Sequence, residues 1–332
     1  MTRMTTSDAR AEYAAVRSGA GVIDRRDAGV LEATGRDRAA FLHALLSNEI
    51  KSLAPGRGCA ATLLDVHGKV QVLLVVWVLD DRILLVTPPG MAAETLEALD
   101  KYLFAEKVVL RDASEDWALF LLAGPQAPAL LQRVAGAVPE EAPWSSTIAT
   151  LDGVGVRLVR GGGETGEPEA WIAAPRGEGE RVLKALVTAG AVSVGAAALE
   201  SLRIEAGALR FPADIGPAVL LPEVPFADLV SQTKGCYPGQ EVVVRIRDRG
   251  HVNRHLRGLV LDGDAVPAAG SEIVAGDTAI GAVTSATLSL GLGRPLALGM
   301  VRRQHAEPGT AVGVRVGERV VPATVSTLPF KR

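Results

Sequence analysis

Apolar residues in the first two thirds of the chain follow two alternating patterns. Short continuous or alternating apolar runs, bounded by Gly, Asp or Pro, read as strands. Runs with apolar residues three and four apart read as helices. Residues 7–18 read as a helix ended by Gly19 and Gly21. Residues 30–34 form a short strand, and Gly35 turns the chain into an amphipathic helix over 36–46, where Ala39, Leu42, Leu45 and Leu46 share a face. Asp65-Val66-His67-Gly68 separates apolar runs at 60–64 and 70–79, the pattern of a hairpin. A strand at 83–87, a helix at 91–104 and a strand at 108–110 complete a first unit.

A comparable unit follows. Residues 119–123 run into Gly124, and Pro125 stands where the first turn of a helix tolerates proline. That helix extends to about 134. The strand–Gly–helix grammar of Leu31 to Arg36 recurs at Phe120 to Pro125, which predicts two related α+β halves. Strands at 154–159 and 171–174, a helix at 178–189 and a strand at 192–194 complete the second half. The Gly- and Glu-rich residues 161–169 read as a mobile hairpin tip. Past residue 254 helical periodicity nearly vanishes. Short β-like segments at 256–261, 273–274, 279–284, 297–301, 312–316 and 320–325 alternate with Gly, Pro and Asp turns, which predicts a small antiparallel barrel. The expected division is 1–253 for the α+β pair and 254–332 for the barrel.

Composition narrows the class. A chain of 332 residues exceeds one ordinary core, and 48% hydrophobic with 22% charged residues is a globular balance. A formal net charge of −3 argues against a surface devoted to nucleic acid, leaving room for a local basic patch. Cys59 and Cys236 are far apart and form no CxxC, so neither a disulfide framework nor a cysteine-based zinc site is expected. Residues 1–10 are polar and lack the apolar core of a secretion signal, and the run at 70–79 is about half a membrane span. The expected location is the cytoplasm, without a membrane.

Two segments carry polar residues with no evident packing role. In Leu199-Glu200-Ser201-Leu202-Arg203-Ile204-Glu205-Ala206-Gly207, helical spacing puts Glu205 in the last turn before a terminating glycine. The helix dipole disfavours a carboxylate there, so Glu205 is either a solvated surface acid or one with a dedicated partner. The second segment starts at Lys234. Gly235 and Gly239 flank Cys236-Tyr237-Pro238 and permit tight bends, and Lys234 is a cation two residues from the thiol. Cys236 is then either a buried structural thiol or a reactive one. Gln240-Glu241 leads into Val242-Val243-Val244, which reads as a buried strand, and alternation would put Arg245, Arg247 and Arg249 on one strand face. That face is a charged edge or an anion site. His251 and His255 lack accompanying metal-ligand spacing, so no metal site is expected. A phosphate loop and GxSxG are absent from the sequence.

Lys234-Gly235-Cys236-Tyr237-Pro238-Gly239-Gln240-Glu241 resembles the KGC[FY]xGQE signature of the folate-binding YgfZ family, relatives of the glycine-cleavage T-protein. Arg203-Ile204-Glu205-Ala206-Gly207 with Asp214-Ile215 resembles an element shared with T-proteins, and Gly281-Ala282-Val283-Thr284-Ser285 resembles a barrel motif of the family. The resemblance implies a three-domain ring of two interleaved ferredoxin-like α+β domains plus a C-terminal β-barrel, with tetrahydrofolate or a one-carbon derivative near the centre. It implies Glu205 as acceptor for the pterin edge, with Tyr237, Gln240 and Glu241 as further contacts. Arg245, Arg247 and Arg249 become candidate partners of the glutamyl tail.

The T-protein's aspartate pair falls at Val72 and Leu73 in this sequence, and neither residue can carry a proton. The resemblance therefore points to a folate-binding protein supporting iron–sulfur cluster assembly or repair, with Cys236 and Lys234 as the reactive pair. Its clients would include radical tRNA methylthiotransferases. The alternatives are a folate-dependent aminomethyltransferase or demethylase, with Asp65 a substitute acid, and an RNA-binding module through residues 245–257. The scarcity of aromatics near that stretch argues against nucleic acid as a direct ligand.

Overall fold

The computed structural model describes residues 6–331; residues 1–5 of the polar N-terminal stretch and Arg332 lie outside the described residues. The elements, in chain order, are α1 (Thr6–Ser18), β1 (Gly21–Asp24), β2 (Gly29–Thr34), α2 (Arg38–Leu45), β3 (Gly58–Leu64), β4 (Val70–Val78), β5 (Ile83–Thr87), α3 (Ala92–Asp100) and β6 (Val109–Asp112). They continue with β7 (Trp117–Ala123), α4 (Ala127–Ala135), β8 (Ser146–Leu151), β9 (Val154–Arg160), β10 (Glu169–Pro175), α5 (Gly179–Thr188), β11 (Val192–Ser193), α6 (Ala196–Ala206) and α7 (Gln240–Arg249). The last six are β12 (Arg254–Leu261), β13 (Glu272–Ala275), β14 (Thr278–Leu288), β15 (Pro295–Arg302), β16 (Ala311–Val316) and β17 (Arg319–Ser326).

Two sheets and a barrel result. The first sheet has the order β3-β4-β5-β2-β6 and the second β11-β1-β7-β10-β9-β8. The chain starts in the second sheet with β1, crosses to build the first, and returns at β7, so the two α+β units are interleaved. Each sheet buries one face under its own helices. Leu31, Leu74, Val76 and Leu85 pack on Phe41, Leu42 and Leu99 in the first, and Phe120, Leu122 and Ile172 on Leu130, Leu131 and Leu186 in the second. The other two faces meet each other through Trp77, Leu84 and Val86 against Leu119, Leu121 and Trp171, with the Trp77 and Trp171 rings edge-to-face at 6.1 Å. Burial on both faces explains why β7 and β10 read as continuous apolar runs rather than alternating ones.

The barrel closes in the order β12-β15-β14-β13-β16-β17, with β12 pairing β17. Each of the six β-like segments expected past residue 254 lies within one of its strands. A further apolar cluster joins the first sheet to the barrel through the segment that connects them: Leu64 and Val70 from the first sheet, Ile204, Phe211, Leu221, Tyr237 and Val243 from the connecting segment, and Leu256, Leu298 and Met300 from the barrel.

Three expectations are corrected. Residues 240–249 form helix α7, not a strand, and only Val243 is fully buried among its residues. Glu241 in the first turn and Arg247 and Arg249 in the last complement the helix dipole, which outweighs the β preference of three consecutive valines. Arg245 and Arg249 therefore share one helix face, while Arg247 projects elsewhere and pairs with Asp248 at 2.6 Å. The glycine-rich residues 161–169 are not a free tip. Glu169 is 3% exposed and accepts the backbone N–H of Gly163, Glu164 and Thr165 at 2.7–3.0 Å, holding the turn shut. Finally, α4 starts at Ala127, so the proline in its first turn is Pro128 rather than Pro125.

Candidate functional site

Helix α6 ends at Gly207, which adopts φ of 69° as its left-handed cap. Glu205 thus stands in the last turn, where the sequence argument demanded either water or a partner. It has partners. The side chain is 1% exposed, and its two oxygens are divided between different parts of the molecule. Oε1 accepts from Ser201 Oγ at 2.9 Å, from Ser289 Oγ at 2.6 Å and from the Gly291 N–H at 3.3 Å. Oε2 accepts from the Tyr13 hydroxyl at 2.6 Å and from Arg17 at 2.7 Å. Burial alone would push this carboxyl up; the donors Ser289, Tyr13, Arg17 and Ser201 together hold it below its ordinary value. One carboxylate thereby ties α1, α6 and the loop after β14 together. Tyr13 and Arg17 are one helical turn apart on α1, a spacing visible in the sequence, but nothing local assigns them a partner some 190 residues away.

The two short motifs on either side of Gly207 form a second network. Arg203, 2% exposed, donates to Asp214 at 2.8 Å and to Glu200 at 2.9 Å. Asp214 is fully buried and accepts from Thr284 Oγ1 of β14 at 2.6 Å. The arginine, the aspartate and the barrel threonine, which stand apart in the sequence, therefore fasten α6 to the barrel.

The loop that carries Cys236 is anchored from below. Lys234 is 8% exposed, and its ammonium donates to the carbonyl oxygens of His43, Leu46 and Asn48 around the C-terminal end of α2. Burial lowers its pKa to about 8. The same ammonium lies 5.0 Å from the Tyr237 ring centroid, and Tyr237 is buried in the three-way apolar cluster. Gly239 adopts φ of 76°, and a Cβ there would lie 2.4 Å from the Asp65 carbonyl, so only glycine fits against the β3–β4 hairpin tip. Cys236 sits exposed at the apex of this anchored loop. Gln240 is half-buried; Glu241, Arg245, Arg247 and Arg249 are exposed. The second cysteine is its opposite: burial pushes the Cys59 thiol up to about 12, an inert thiol at neutral pH.

On the hairpin itself, Asp65 caps its own turn by accepting from His67 and Lys69 N–H, both at 2.9 Å. Val72 and Leu73 face opposite sides of β4. Val72 belongs to the core beneath the first sheet, whereas Leu73 is half-buried and packs on the cluster that joins the first sheet to the barrel. Among the described residues, no group of three or more His, Cys, Asp or Glu side chains gathers as a metal site.

The family described as the GCVT N-terminal domain matches residues 2–234, and the glycine cleavage T-protein C-terminal barrel domain matches residues 254–331. The chain belongs to the glycine cleavage T-protein family. It is 31% identical over 333 residues to an aminomethyltransferase of Streptomyces avermitilis, covering 97% of this chain and 89% of that protein. It is 28% identical to a putative chloroplast transferase of Arabidopsis thaliana, covering 94% of this chain and 72% of that protein. The crystal structure of the glycine cleavage system aminomethyltransferase T from Bartonella henselae superposes with a TM-score of 0.87 at 25% identity, over 97% of this chain and 89% of that one. T-protein homologues use tetrahydrofolate. No helix among the described residues is long and apolar enough to cross a membrane.

Proposed function

We propose that this protein binds a reduced folate between its three units and handles the one-carbon unit as a folate-dependent transferase of the T-protein type. The observation that carries the reading is the family match across both α+β units and the barrel, together with a buried, ionised carboxylate, Glu205, where α1, α6 and the loop after β14 meet. Such a carboxylate is the natural acceptor for the adjacent amino group and ring N–H of a pterin. Turnover of an N-methyl amine or of a protein-borne aminomethyl group, dependent on tetrahydrofolate, is the test. Saturable folate binding without turnover of either substrate class removes the transferase part of the reading and keeps the ligand.

A second reading has its own supporting observation. Leu73 supplies no acid, and Asp65 is committed to its turn, so proton chemistry of the T-protein kind lacks its group on β4. The exposed thiol of Cys236, on a loop anchored by Lys234, is then the reactive group, and the role is support of iron–sulfur enzymes such as radical tRNA methylthiotransferases. One thiolate does not hold a four-cysteine cluster, so any contact with a cluster is shared or transient. Cys236→Ser should bind tetrahydrofolate within about twofold of wild type, since an exposed Sγ contributes little to a site between the units. It should fail to restore cluster-dependent activity in a deletion strain. Full restoration by Cys236→Ser would remove the thiol's role.

A further inference from the structure

Strands β12 and β15 of the barrel pack Leu256, Leu298 and Met300 against the segment that joins α6 to α7. At one end of that face an open cleft of about 310 Å³ remains. It is lined by Arg254 of β12, by Met300 and Arg302 of β15, and by the small residues Ala279, Gly281 and Ala282 of β14. A Cβ at Gly281 would collide with the Met300 carbonyl, so β14 approaches β15 this closely only with glycine there. Opposite the same residues, the register of β14 against β13 shifts between Ile273 and Val274, a bulge that bends the strand.

The charges of the cleft are unbalanced. Arg254 and Arg302 are direct cross-strand partners, with Cα atoms about 5 Å apart, where like charges cost stability. Arg254 is answered in part. Its Nε and Nη2 donate to the two oxygens of Glu223 at 2.8 and 3.0 Å, and Nη2 also donates to the Ala218 carbonyl at 2.6 Å. These bonds fix the guanidinium plane and leave Nη1 without a protein acceptor among the described residues. Arg302 is exposed, and none of the described residues offers it a hydrogen bond or an ion pair. Two guanidinium groups and one carboxylate therefore leave one positive charge in excess, beside the apolar side chains of Met300 and Ala282. Ordinary solvation accounts for an exposed arginine by itself. It does not account for an arginine set opposite a second, immobilised one at the mouth of an apolar recess.

We propose that this cleft binds a small organic carboxylate, its head taken by Arg302 and the free Nη1 of Arg254 and its apolar body laid against Met300 and Ala282. Guanidinium forks match the plane of a carboxylate. The volume lies at the lower end of small-molecule sites, and a bare inorganic anion would meet the charges while leaving the apolar lining uncovered. Ser289, a partner of Glu205, follows the other end of β14, about 20 Å along the strand from Ala282. The cleft is thus separate from Glu205, and its occupancy does not depend on the folate reading.

Ligand-observed NMR titration of the full chain with hexanoate tests the site. Wild type should saturate with a dissociation constant of about 1–10 mM, the strength open to so small a ligand. Arg302→Met, an exposed substitution, should weaken binding by about 10-fold through loss of a charge-assisted contact. Ala279→Phe keeps both arginines but fills the cleft, and should weaken binding by a similar factor. Lys184→Met removes an exposed charge on α5 and should leave binding unchanged. Hexanamide and inorganic phosphate, which lack the charged head and the apolar body respectively, should each bind at least about 10-fold more weakly than hexanoate. Wild type that does not saturate below about 50 mM overturns the proposal. So does an Arg302→Met variant that unfolds cooperatively and binds hexanoate equally well, or an equal loss in Lys184→Met. Phosphate binding as tight as that of hexanoate also overturns it, since the cleft would then read charge alone.

Discussion

Replacing Lys234 by methionine separates two opposing energies at the anchor of the Cys236 loop. In the folded chain the ammonium is buried, and its pKa falls from 10.5 to about 8. At about 1.4 kcal/mol per pH unit, keeping it charged costs the folded state on the order of 3 kcal/mol below pH 8. Against this, methionine leaves the carbonyls of His43, Leu46 and Asn48 without their donor, at about 1–3 kcal/mol for each one that water does not reach. At pH 7 only the net of the two effects is seen, so a single measurement there does not separate them. The pH dependence does. Because the folded pKa lies below the unfolded one, the unfolded state binds more protons between pH 8 and 10.5. Stability of wild type relative to Lys234→Met is therefore flat below pH 8, rises by on the order of 3 kcal/mol up to pH 10.5, and is flat above. Urea unfolding of both proteins at pH 7, 9 and 10.5 measures this difference, with other titrating groups common to both. Parallel curves within about 0.5 kcal/mol would refute the account of Lys234 as a buried, charged anchor.

The two faces of β4 make a second prediction. Val72→Asp, in the core of the first sheet, should cost more than about 3 kcal/mol, whereas Leu73→Asp, half-buried at the junction, should cost about 1 kcal/mol; equal costs by urea unfolding would contradict the orientation described. Asp214→Ala leaves Arg203 buried with Glu200 as its one carboxylate partner and should lower stability by about 3 kcal/mol or more. Thr284→Val, which removes only the neutral partner of the same aspartate, should cost about 1 kcal/mol, and a reversed order would overturn the hierarchy within that network.

The parts of this architecture that the sequence reveals are those set by local periodicity. The barrel is legible because each strand is short, alternates and ends in Gly, Pro or Asp; the α+β halves are legible because the strand–Gly–helix grammar repeats. Helix α7 is not, since Val242, Val243 and Val244 carry the local signal of a strand while the charges that stabilise a helix lie at its two ends. The turn at 161–169 is misread for a similar reason: its glycines are visible, but the buried Glu169 that closes it looks like one more polar loop residue. At the site, Glu205 is legible because an acid at a helix C-terminus needs a cause. Arg17, Tyr13 and Ser289 are not, because their contact with Glu205 exists only once α1, α6 and the barrel are assembled. Lys234 is found by its motif, but its three carbonyl partners around the C-terminal end of α2 belong to the tertiary structure alone.

The central claim is that Glu205 is the acceptor of a folate site shared by the three units. Isothermal titration of wild type and Glu205→Gln with tetrahydrofolate tests it most directly, because the amide keeps the shape of the side chain while losing its charge. The account predicts saturable one-to-one binding to wild type and at least about 10-fold weaker binding to Glu205→Gln, the loss expected for a charge-assisted pair of hydrogen bonds. Absence of binding to wild type, or equal affinity in a Glu205→Gln variant that unfolds cooperatively, would contradict it.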